Sequence, residues 1–192
     1  MQLIKVISNE SKNIEALLYC YEDEKLILGP FFVHVGKKGI TLDKVEGDKK
    51  SPVGTFRLGP IFGDRAHMIY AKKMDYLLIT DELECVDDPN SIYYNQFIYK
   101  NQIEVIDWKS SEKMNEIGEL YSLGVVVQYN QNPTIAFKGS AIFMHNLCKE
   151  SYGTQGCIGV SKSDLKKIVS WLDETKFPHI TINSRSHARH QV

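Results

Sequence analysis

Apolar positions along this chain fall mostly in short runs rich in Val, Ile, Tyr and Phe, and Gly, Pro, Asn or Asp interrupts them about every ten residues. Such punctuation predicts many short strands. Candidate strands are Leu3 to Ile7, Ile14 to Cys20, Leu26 to Leu28, Phe31 to Val35, Tyr76 to Thr80, Val125 to Tyr129, Ala141 to Met144 and Ile180 to Ile182. Between Gly36 and Gly63 the chain is polar and rich in Gly and Lys, which predicts a long surface loop holding only a short strand over Thr55 to Leu58. One helix stands out over Ser161 to Leu172, where Leu165, Ile168, Val169 and Leu172 share a face and Ser161 with Asp164 forms a cap. A second helix is predicted from Ser110 to Leu120 on the strength of Met114 and Ile117. The expected architecture is mostly β, a sandwich-like pair of mixed sheets with one or two helices, in a single domain over 1–184. The basic tail 185–192 lacks apolar periodicity and is expected to be a solvated end.

Composition narrows the functional classes. With 23 Lys+Arg against 24 Asp+Glu, a formal charge of -1 and 43% hydrophobic residues, the chain suits a compact domain and has no cationic excess for nucleic acid. No run approaches the roughly 18 apolar residues of a membrane span. The start, Met1 to Ser8, reads as a strand and not as a secretory signal, so the sequence leaves open an interior location or a signal absent from this chain. Cys20, Cys85, Cys148 and Cys157 are too few and too scattered for a disulfide scaffold, which makes each of them packing or chemistry.

Chemistry concentrates where an apolar run ends in His145-Asn146, a loop follows, and Thr154-Gln155-Gly156-Cys157 precedes a further apolar run and the capped helix. An imidazole facing a thiol raises the thiolate fraction available for nucleophilic attack. Gly156 lets the backbone approach a substrate closely, so the N–H groups of Gly156 and Cys157 are candidate oxyanion donors. Cys20 and Cys85 look like strand residues in the core, and His34 looks like a surface or satisfied strand histidine. Cys148 is read as a passive loop thiol, with a regulatory disulfide to Cys157 as the alternative. His145, Cys148 and Cys157 lack the paired spacing of a zinc knuckle, so no metal and no cofactor is expected.

The segment Thr154-Gln155-Gly156-Cys157-Ile158 after the strand-ending His145 resembles the hallmark of the L,D-transpeptidase catalytic domain, or YkuD domain, of bacterial cell-wall enzymes. Lys50-Ser51-Pro52-Val53-Gly54-Thr55-Phe56 resembles that family's upstream T-P-x-G-x-F segment, and the two motifs stand in the family's order. The resemblance implies Cys157 as nucleophile, His145 as its base, and either the Asn146 backbone carbonyl or Thr154 as the group that orients the ring. It implies a peptidoglycan stem peptide as substrate, a thioacyl-enzyme intermediate, and a place in the cell envelope or periplasm. The family's common Arg two residues after the cysteine is Gly159 here, and Arg57 or Lys138 is the expected replacement for substrate binding. Gln155 stands where many members carry a second His. The stretch from Cys85 to Asn95 is read as an Asx-rich turn in preference to a substrate wall. A cysteine hydrolase of the carboxypeptidase or amidase type, and a wall-binding module with an inert Cys157, are the rival functions.

Overall fold

The computed structural model describes residues 1–147 and 152–188. It is mostly β with mixed sheets and two helices, as the punctuation of apolar runs predicts. The first three strands, β1 (Gln2–Ser8), β2 (Glu15–Glu22) and β3 (Lys25–His34), form an antiparallel meander. Two predicted strands merge into β3 because Gly29, at φ +104°, carries the chain past Leu18 O where a Cβ would sit 2.6 Å away. The ladder absorbs the irregularity as a register shift between Leu18 and Cys20.

Two short strands, β4 (Ile40–Thr41) and β5 (Ser51–Pro52), pair in parallel inside the predicted loop. That loop then ends early: β6 (Gly54–Gly63) is a ten-residue strand, not a brief pulse. Its first half pairs with β14 (His179–Ser184), and its second half with β7 (Tyr76–Leu78) and β11 (Leu123–Val127). Because β11 also pairs with β12 (Phe143–Asn146), and the order continues through β13 (Ile158–Val160) to β3, β2, β1 and β14, the large sheet closes on itself through β6. The predicted helix from Ser110 to Leu120 does not form. Ser111–Lys113 is β10, which joins β8 (Leu83–Val86) and β9 (Phe97–Tyr99) in a small second sheet, and a 3-10 turn covers Gly118–Tyr121. Met114 and Ile117 pack inward without needing a helix, so apolar spacing alone misread the segment.

The helix α1 (Lys162–Trp171) is capped as predicted: Asp164 N–H donates to Ser161 Oγ at 3.2 Å, and Ser161 Oγ–H donates to the Asp164 carboxylate at 2.7 Å. Its face Leu165, Ile168 and Val169 joins Ile4, Val6, Leu18, Met144, Ile158 and Val160 in the main core. Strand alternation then turns Phe143 and Cys157 toward a second cluster with Cys85, Met114 and Tyr121, under the small sheet. Cys20 and Cys85 are buried, as expected of strand thiols. Of the tail, Arg185–Ala188 forms a short helix, α2, in place of the expected irregular end, and residues 189–192 lie outside the described residues, as does Cys148. No helix among the described residues is long and apolar enough to cross a membrane.

The alternation predicts a sharp asymmetry between neighbouring strands. Leu18→Ala, at a fully buried position, is expected to cost about 2–5 kcal/mol in urea unfolding. Phe32→Ala, 82% exposed on β3, is expected to change stability by less than about 0.5 kcal/mol. Equal losses at both positions would contradict this packing.

Candidate active site

Parallel pairing of β12 with β13 sets Met144 opposite Ile158 and His145 opposite Gly159, so Cys157 stands level with Phe143. Phe143 and His145 share a sheet face by strand period, and the Phe143 N–H donates to Cys157 Sγ at 3.3 Å. Both His145 and Cys157 line one cavity of about 500 Å³. Cys157 is 7% exposed, and its S–H donates to Ala141 O at 3.3 Å, not to the imidazole. That carbonyl is held by its own residue: Ala141, at φ +49°, donates its N–H to Asn95 Oδ1 at 3.0 Å.

The imidazole is oriented by the backbone. His145 Nδ1 lies 2.7 Å from Asn146 O, and since a carbonyl only accepts, Nδ1 carries the proton and Nε2 keeps its lone pair. Tyr121 packs edge-on against the ring at 5.3 Å and donates its hydroxyl to Glu112 Oε2 at 3.1 Å. The Asn146 side chain pins the strand end by donating to Glu119 O and Ser122 Oγ, both at 2.9 Å. Of the two orienters that the resemblance implied, the Asn146 carbonyl is therefore the one in contact.

Thr154 does something else. Its hydroxyl donates to Cys157 O at 2.6 Å and accepts from Gly156 N–H at 3.1 Å, so it braces the turn that carries the thiol. This corrects the oxyanion expectation at Gly156, whose N–H is already taken up within the turn. Ser51, in the upstream motif, donates to the same Cys157 O at 3.3 Å and accepts from Gly36 N–H at 3.0 Å. The two motifs thus meet at one carbonyl. Gly156 is required where they meet: at φ +145° a Cβ would stand 3.0 Å from Lys50 O.

Electrostatics set the resting protonation. Burial pushes the Cys157 thiol up to about 12, with the Glu112 charge adding to the rise, while the Phe143 N–H and the Lys44 charge pull the other way. Burial holds His145 below 6.5 against the weaker opposing effect of the Asn146 carbonyl. Thiol and imidazole are both neutral at rest. Burial also lifts Glu112 and Asp87, which line the cavity, above the usual carboxylate range.

The expected cations lie elsewhere. Arg57 points to Glu174 beside β14, and Lys138 pairs with Asp43 at 3.2 Å; neither lines the cavity. At Gly159 a Cβ would meet Leu147 Cδ1 at 2.7 Å, so a longer side chain there would displace the end of the Leu147 side chain. Among the described residues the cavity's buried cation is Lys44, which the sequence hid inside a Lys-rich stretch without periodicity. Tyr121, Glu112 and Asn95 were missed for a similar reason: each reaches the site from a segment far away in sequence. In the Asx-rich stretch, Asp88 accepts from the backbone of Asn90 and Lys109, as a turn residue would, while Asp87 faces the cavity. The zinc alternative includes Cys148, which lies outside the described residues.

Gly156→Ala is expected to destabilise the fold by about 1–3 kcal/mol, because the site requires positive φ and close contact with Lys50 O. Urea unfolding reads this, and unchanged stability would mean that the turn is not held as described.

A protein-family model described as YkuD, the L,D-transpeptidase catalytic domain, matches residues 11–180. No curated protein matches. Among solved structures, the helical cell shape determining protein Pgp2 from Campylobacter jejuni and a point mutant of it are 17% identical to this chain, with TM-scores of 0.46 and 0.47. The matches cover 95% of this chain and 48% and 47% of theirs, so the chain spans about half the length of those structures. The family match extends over most of the chain, and the chain belongs to the L,D-transpeptidase catalytic domain family, whose members are cysteine-dependent enzymes acting on peptidoglycan.

Proposed function

We propose that this member of the L,D-transpeptidase catalytic domain family is a cysteine acyltransferase acting on peptidoglycan stem peptides in the cell envelope. The observation that carries this reading is that Cys157 lines the same cavity as a His145 whose Nδ1–H is committed to Asn146 O, so that Nε2 is the basic nitrogen.

Since the resting thiol is neutral, proton removal accompanies attack. The S–H turns away from Ala141 O toward His145 Nε2, and Sγ bonds to the carbonyl carbon of the amide before the terminal D-residue. The oxyanion forms beside the turn at Cys157, with the Cys157 N–H as its donor. As the C–N bond breaks, the imidazolium gives its proton to the departing amine and a thioester remains. An amine of a neighbouring stem, deprotonated by the same nitrogen, then attacks the thioester, the C–S bond breaks, and the thiol is restored. If water takes the place of the amine, the same steps trim the stem, which is the hydrolase alternative.

Mass spectrometry after incubation with defined tetrapeptide stems tests the proposal. Loss of the terminal D-residue together with cross-linked product is expected, and Cys157→Ala removes both. Trimming alone, with an amine acceptor present, would replace the transferase with the hydrolase, and turnover by Cys157→Ala would end both readings. The pH dependence has a definite sign. With His145 held below its ordinary 6.5, the active neutral ring persists on acidification past that value, and activity falls only as pH drops through the depressed value. His145→Gln is expected to lower turnover by about 10²–10⁴-fold and to abolish that acid limb.

A further inference from the structure

Lys44 is 4% exposed, yet it lines the cavity beside the turn that carries Cys157: its Cε lies 3.7 Å from where a Cβ on Gly156 would stand. Among the described residues its ammonium has two acceptors, Val45 O at 3.1 Å and Asp48 Oδ1 at 2.7 Å, and an ammonium has three N–H groups. The Asp48 carboxylate does not belong to Lys44 alone, because it also accepts from the backbone of Val45 at 3.0 Å and of Lys50 at 2.8 Å. These contacts fold the 44–50 loop around the carboxylate and fix where Nζ sits. Among the described residues the carboxylates that line the cavity are Glu46, which accepts from Ser140 and Tyr94, Glu112, which accepts from Tyr121, and Asp87, whose buried Oδ1 has no partner. A second lysine, Lys37, also lines the cavity, but it is exposed on the rim.

We propose that Lys44 is the specificity residue that binds the carboxylate of the displaced D-residue, using its third N–H at the floor of the cavity beside Cys157. This assignment rests on the reaction proposed above and supplies, from the upstream loop, a cation that Gly159 cannot provide. A buried, pre-positioned ammonium favours an anionic end over a neutral one, because the donor is already desolvated and held by Asp48. Stems ending in a free carboxylate are then the substrates, and stems ending in an amide are poor ones.

Two alkylating probes of similar size test it, iodoacetate with a carboxylate and iodoacetamide without one. The ratio of their rates at Cys157, compared with the same ratio for free cysteine, isolates carboxylate binding from thiol reactivity, since any change in thiolate fraction affects both reagents alike. In the unmodified protein the ratio is expected to exceed that of free cysteine by about tenfold, the scale of one charge-assisted hydrogen bond. Lys44→Met is expected to abolish the preference, Lys44→Arg to retain it, and Lys37→Met to leave it unchanged. A wild-type ratio equal to that of free cysteine overturns the assignment without needing any variant to fold, as does a preference that survives Lys44→Met or disappears in Lys37→Met. Turnover of tetrapeptide stems judges the nucleophile reading separately: no turnover by the unmodified protein, or turnover that survives Cys157→Ala, sinks that reading, whereas the probe ratio judges Lys44, so the two failures are distinguishable.

Discussion

Burial of Cys157 and His145 in the wall of one cavity is the constraint around which the rest of the site is arranged. Burial disfavours the charged form of each group, so the thiol sits near 12 and the imidazole stays neutral below 6.5. A neutral pair gives up the standing reactivity of a thiolate. In the reaction proposed above, the sulfur stays protonated on Ala141 O until a carbonyl carbon arrives, and charge develops at a buried position where fixed dipoles act strongly. The ring's tautomer, the turn at Gly156 and the buried ammonium of Lys44 all address that one problem, namely how to accommodate charge that exists only during the reaction.

The surrounding hydrogen bonds show how the geometry is kept. Cys157 O accepts two hydroxyls, from Thr154 and Ser51, which are distant in sequence and meet beside Gly36. Thr154 is itself stitched to the end of β3, with its N–H donated to Val35 O and its carbonyl accepting from Lys37 N–H. The thiol-bearing turn is therefore tied to the closed sheet by backbone as well as side-chain bonds. On the other wall, Asn95 and Tyr94 hold the 139–141 segment, with Gly139 N–H donated to the Tyr94 hydroxyl. Catalytic geometry in such a site depends on residues that never touch substrate.

Much of this was legible in the sequence because local rules decided it. The strand runs of β1 and β2 and the capped helix α1 follow from period and capping chemistry that a single window of sequence contains, whereas the emphasis on His145 and Cys157 came from the resemblance to a known family. What failed was long-range. The continuity of β6 depends on partners from three other strands, so a polar, Gly-rich segment looked like a loop. Ser111–Lys113 became a strand because β8 offered an edge, overriding a weak helical spacing. Arg57 and Lys138 do not line the cavity, and Lys44, which does, escaped notice because no pattern separates a buried lysine from its solvated neighbours. Only the fold of the 44–50 loop around Asp48 makes Lys44 distinct.

The central claim is that the resting pair carries no charge. Ultraviolet absorbance of the thiolate, taken as a difference between the native protein and its Cys157→Ser variant over a pH series, reads this directly. The account predicts no thiolate signal at neutral pH and none up to pH about 9, the ordinary thiol range. A thiolate signal already developed at neutral pH would mean a standing thiolate–imidazolium pair and would contradict it.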